Sequence, residues 1–137
     1  MTKTQARESM ANVLAKKNGT SFDNPDMESS WQEFYEIDEC AIEEDKKPPS
    51  DVTKQTAEKM LRALCSEFPA YYAVYPDEHE GVAIQTSQRK GHSVLIVCEK
   101  NGRISCYLSR DHKNSRAHFD NHDIKEGLPN FIREALE

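Results

Sequence analysis

Apolar positions follow a helical period at both ends of the chain and a period of two between them. Ala6, Met10, Val13 and Leu14 predict an amphipathic helix over residues 5 to 17, ended by Asn18 and Gly19. Residues 18 to 30 are rich in turn formers and read as a linker. Ser30 and Glu33 have capping-box spacing, and Trp31, Phe34, Tyr35, Ile37, Ala41 and Ile42 then continue on a helical period until Lys46, Lys47, Pro48 and Pro49 end it. Ser50 is a good N-cap for a third helix over 51 to 67, whose stripe is Val52, Ala57, Met60, Leu61, Leu64, Cys65 and Phe68. Pro69 stops it.

From Tyr71 the segments YYAVY, GVAIQT, HSVLIVCE and RISCYLS are four strands separated by turn sequences. Asn101 and Gly102 predict a type I′ hairpin between the last two, since that turn needs positive φ at both central positions. Residues 116 to 119 read either as a fifth strand or as the extended start of the final loop. Leu128, Phe131, Ile132, Ala135 and Leu136 predict a closing helix over 129 to 136, with Pro129 in its first turn. The order implies an α+β two-layer sandwich, with an antiparallel sheet of three to five strands covered by helices 51 to 67 and 129 to 136. It divides into a helical N-terminal extension, residues 1–49, and an α+β domain, residues 50–137.

At 137 residues, one core is expected. The mean hydropathy of −0.83 leaves part of the chain outside that core. No apolar run reaches the roughly 18 to 20 residues a membrane span needs, and MTKTQARESMANVLAKK lacks a signal-peptide core, so a cytoplasmic protein with no membrane contact is expected. A net charge of −6 argues against wholesale coating of nucleic acid. Cys40, Cys65, Cys98 and Cys106 lack metal-site spacing and read as reduced structural thiols, with a Cys98–Cys106 cross-strand disulfide as the alternative.

Charge divides the chain. Nine acidic residues and no basic one lie between Asp26 and Asp45, while seven basic and two acidic residues lie between Gln85 and His118. Such faces are most often simply solvated or attract each other within a molecule or a dimer. The sharper reading is a partner-binding arm in which Trp31, Phe34 and Tyr35 anchor, while Glu33, Glu36, Asp38, Glu39, Glu43 and Glu44 face a basic partner. The basic sheet end, with Arg89, Lys90, Arg110, Lys113 and Arg116, suggests a nucleic-acid surface instead.

His112, His118 and His122 lie among Asp111, Asp120 and Asp123 without helical metal-ligand spacing, so no metal is assigned. His112 and His118, with Arg110, Lys113 and Arg116, are the ingredients of a metal-independent ribonuclease, in which one imidazole takes a proton from a 2′-hydroxyl and the other protonates the leaving oxygen. GxSxG, Walker, GxGxxG and HExxH motifs are absent, and no cofactor is implied.

Trp31, Pro49, Ser50, Val74, Pro76, Gly81 and Val82 resemble the pattern of a loose group of small bacterial antitoxin, immunity or defence-accessory proteins. That pattern has a Trp in an early segment, a Pro-Ser before a helix, and a V-x-P turn leading into a Gly-Val strand. Glu80 stands where a Gly pair is usual, and Gln85-Thr86 where an acidic residue and Trp are common. The resemblance spans roughly two thirds of the chain and implies fold more than function, with no catalytic residue to carry over.

The function expected from these readings is a non-catalytic module that neutralises or adapts a protein partner, either a toxin or a basic nucleic-acid-binding protein. A small ribonuclease or RNA-binding protein is the first alternative and a secretion chaperone the second. A sheet edge or the first helix also suits homodimerisation.

Overall fold

A computed structural model describes residues 25–89, 92–111, 113–120, 124 and 128–136. The helix expected over 5 to 17 lies outside them. Helix α1, Pro25–Tyr35, starts earlier than the capping-box reading implied, because Pro25 is itself suited to a first helical turn. Ser30 and Glu33 therefore lie inside the helix and bond across to the sheet. Ser30 Oγ accepts from Tyr72 N at 2.7 Å, while Glu33 Oε1 accepts from the Tyr71 hydroxyl at 3.0 Å and from Val74 N at 3.4 Å.

Helix α2, Ile37–Glu43, ends before the lysines and prolines. Asp45 takes a left-handed φ of 60°, and Lys46 N and Asp45 N donate to Ala41 O and Ile42 O, which closes a Schellman end. Helix α3, Asp51–Glu67, has the expected bounds, and Ser50 Oγ caps it by accepting from Thr53 N. Its buried stripe is Thr53, Thr56, Ala57, Met60, Leu61 and Leu64.

The strands are β1 Ala73–Pro76, β2 Val82–Arg89, β3 His92–Cys98, β4 Arg103–Arg110 and β5 Lys113–Asp120, so of the two readings of residues 116 to 119 the fifth strand holds, and it starts earlier. They form an antiparallel meander in the order β1-β2-β3-β4-β5. The β3–β4 turn is not type I′. Of its residues only Gly102 has positive φ, at 85°, and Glu99 and Arg103 bracket a longer loop bonded Gly102 N to Glu99 O and Glu99 N to Arg103 O. Asn101 instead spends its side chain on Arg103 N at 3.0 Å, so the single left-handed position falls to glycine. Helix α4, Asn130–Leu136, closes the described chain.

Alternation along the strands sends Val74, Val82, Ile84, Val94, Ile96, Cys98, Ile104 and Cys106 to one face, where the helices cover them. Helices α1 and α2 lie against β1, and α3 against β2 and β3. Phe131 of α4 meets Phe119 of β5 at 6.4 Å between ring centroids. Trp31, Phe34 and Ile37 belong to this same core cluster, so residues 25–43 are part of the α+β unit and the boundary expected at residue 49 does not separate them from it. The opposite face of the sheet carries none of these helices.

Candidate functional site

The aromatic anchors expected on a partner-binding arm are core residues. Trp31 and Phe34 are 4% and 7% exposed. Trp31 meets Phe34 edge-on at 5.8 Å, stacks on Tyr35 at 5.9 Å, and lies under the Arg62 guanidinium at 5.5 Å. Helical periodicity identified their shared face correctly but could not say that this face turns toward the sheet. Burial of two such rings is worth about 1.5–3 kcal/mol each, which a free arm would forgo.

Their acidic neighbours divide. Asp38 is bound to Lys54 at 2.8 Å, Glu36 is half-buried, and Glu33 faces the sheet. Burial raises the Glu33 carboxyl above the usual carboxylate range, partly offset by the bonds from Tyr71 and Val74. Glu39, Glu43 and Glu44 are exposed beside Ile42, which is 68% exposed. A short acidic knob therefore remains at this end of the molecule, without its aromatics.

At the opposite edge, Arg110, Lys113 and Arg116 are exposed, and none makes an ion pair with a described residue. Arg89 ends β2 with a side chain outside the described set, which also lacks Lys90 and His112. The two-histidine ribonuclease reading thus retains one described member, His118.

The sheet face that no described helix covers supplies a site that sequence reasoning missed. Register places Ala73, Gln85, Leu95, Tyr107 and Arg116 in one cross-strand row, and Tyr75, Ala83, Val97, Ser105 and His118 in the next. An open groove of about 580 Å³ runs over the first row, lined by Gln85, Ser93, Leu95, Tyr107, Leu108, Ser109, Asn114, Ser115 and Arg116. Tyr107, 42% exposed, offers a rigid ring there, and among the described residues no acidic side chain lines the groove. Tyr75 donates its hydroxyl to Gln85 Oε1 at 2.9 Å, fixing one wall. The alternation in Arg103-Ile104-Ser105-Cys106-Tyr107 was the available signal. It marks two faces without telling which one the helices leave bare.

Beside the groove, the Ser105 hydroxyl donates to Glu99 Oε2 at 3.0 Å and lies 3.0 Å from His118 Nδ1. A hydroxyl has one proton to give, and Ser105 gives its own to Glu99, so Nδ1 is the donor to Ser105. The sequence of groups is carboxylate, hydroxyl, imidazole. A hydrolytic triad instead puts the imidazole in the middle, where it can deprotonate the hydroxyl with the carboxylate behind it. Ser105 is also buried, so this chain of bonds tethers β5 to β4 and the end of β3.

All four cysteines are free thiols. Cys98 faces Ile104 and Cys106 faces Ile96 across β3 and β4, so the two are not opposite each other and the cross-strand disulfide is absent. Burial pushes both thiols up to about 12 and Cys65 up to about 11. Among the described residues no three His, Cys, Asp or Glu side chains are grouped to hold a metal ion, and no helix is long and apolar enough to cross a membrane. No family model, curated protein or solved structure matches the chain.

Proposed function

We propose that this chain is a protein-binding module that neutralises or adapts a partner, and that the sheet face left open by the described helices receives that partner. The groove around Tyr107 carries the proposal. It combines an exposed aromatic ring and Leu95 with a rim of amide, hydroxyl and guanidinium groups, the mixture that concentrates binding energy at protein interfaces. Its open shape suits a protruding side chain or chain segment. The bound partner would be occluded at this face, in keeping with the resemblance of the V-x-P turn and Gly-Val strand to small antitoxin and immunity-like proteins.

Tyr107→Glu is expected to abolish co-purification of the native partner while circular dichroism and Tm stay unchanged. Ile42→Glu, on the acidic helical end, is expected to retain it. Loss through Ile42 but not Tyr107 would move the interface to the acidic helices and overturn the proposal.

A second reading has one observation in its favour. Tyr107 beside Arg116, with Arg110 and Lys113 unpaired among described residues, also suits stacking and phosphate contact by single-stranded RNA. RNA binding of this kind weakens steeply with salt, and salt titration of whatever co-purifies separates the two.

A further inference from the structure

All eight residues of β5 pair with β4, and none pairs with another described strand. No loop or helix backbone among the described residues bonds to β5 either. Its outer edge therefore presents alternating N–H and C=O groups to a further strand.

Along β5 Lys113 and Arg116 are positive and Asp120 is negative, and Arg110 at the end of β4 stands opposite Lys113. Arg110, Lys113 and Arg116 are exposed and without ion-pair partners among described residues, as are the scattered Lys47 and Lys59, whereas Lys46, Lys54, Arg62, Lys100, Arg103 and Arg133 each face a carboxylate. Asp111 sits at the hairpin tip, 3.7 Å from His92, and Asp120 closes the far end. Charges on an edge ordinarily discourage pairing. Like charges discourage only a like edge, and they admit an acidic one.

A second copy of this chain fits poorly. In two-fold antiparallel pairing, opposed residues lie on the same face of β5. The two registers of greatest overlap set Arg116 against the partner's Arg116 or against the partner's His118, and neither supplies a carboxylate.

We propose that β5 accepts an acidic, extended segment of the protein partner as an added strand, with a carboxylate seated beside Arg116. This rests on the protein-binding reading and names the partner's chemistry. Main-chain bonds to β5 would supply affinity, and the Arg116 guanidinium would select for negative charge.

The test is an NMR titration of the full ¹⁵N-labelled chain with three end-blocked peptides: alternating Glu and Val, alternating Lys and Val, and the Glu-Val peptide N-methylated at every residue. The Glu-Val peptide is expected to shift β5 resonances and slow amide exchange along that strand, and the other two are not. Arg116→Glu should weaken Glu-Val binding by about tenfold, as expected for reversing one exposed charge. Should that variant misfold, Arg116→Gln is expected to give a smaller loss.

Three outcomes overturn the proposal. One is a Glu-Val peptide that leaves β5 unmoved. Another is equal binding of the Lys-Val or N-methylated peptide. The third is protection of β5 without peptide that is lost on dilution, which would make the occupant a second copy. Any of these, with partner capture at Tyr107 intact, defeats the added strand and leaves the protein-binding reading standing.

Discussion

The Tyr71 hydroxyl donates to Glu33 Oε1 at 3.0 Å, bonding α1 to the residues just before β1 across 38 positions of the chain. Glu33 also accepts from Val74 N, so one carboxylate links a helix to the sheet it covers.

The Glu33 carboxyl is raised by burial, so the folded state holds its proton more tightly than the unfolded chain does. Its contribution to stability is therefore fully present below the ordinary carboxylate pKa and is lost as pH rises through the higher folded value. Glu33→Gln, which keeps an acceptor for Tyr71 and Val74, is expected to remove that pH-dependent loss in urea titrations just above the carboxylate range. Glu33→Ala should cost about 1–3 kcal/mol by stranding the Val74 donor. A wild-type and Glu33→Gln pair with parallel pH profiles would show that Glu33 is not the group responsible.

Trp31→Ala should destabilise the fold by about 3–5 kcal/mol, since it empties a site in contact with Phe34, Tyr35 and Arg62. Chemical denaturation reads this directly. A loss below about 1 kcal/mol would place the ring at the surface, where an interaction arm would hold it.

Thiol accessibility should follow burial. With a thiol-specific reagent at neutral pH, Cys98 and Cys106 are expected to react only on unfolding, because both are buried and burial holds both in the thiol form. Cys40, half-buried near the acidic knob, should react first although burial and the Glu44 carboxylate raise its pKa too. Rapid labelling of Cys98 in the native protein would contradict the packing of β3 described above.

Glu80 adopts a left-handed φ of 60°, just before Gly81, where an added Cβ would come within 2.9 Å of Cys98 O. Glu80→Gly should raise stability by about 0.5–1 kcal/mol, less the weak surface attraction to Lys100 at 3.7 Å. Gly81→Ala should be destabilising, and thermal melts of the pair test the turn from both sides.

Local chemistry was the legible part of this fold. Ser50 and Pro69 bracket α3 because a cap and a helix breaker act within a turn of where they stand. The strands showed themselves by alternation, and Asn101-Gly102 announced a hairpin. The turn type did not follow, because the Asn101 side chain reaches Arg103 N and leaves the left-handed position to Gly102 alone. Trp31 and Phe34 were misassigned because a helical stripe reports which residues share a face and is silent on what covers it. Tyr107 went unnoticed for the complementary reason: a strand has two faces, and only the placement of all four described helices decides which stays bare.

The most direct measurement is site-specific photocrosslinking in the native host, with a photoreactive phenylalanine at position 107 and, separately, at position 59, an exposed site on α3. A discrete protein adduct formed from position 107 and absent from position 59 is the expected result. Adducts from position 59 alone, or RNA as the species captured at position 107, would contradict the sheet face around Tyr107 as a protein-binding surface.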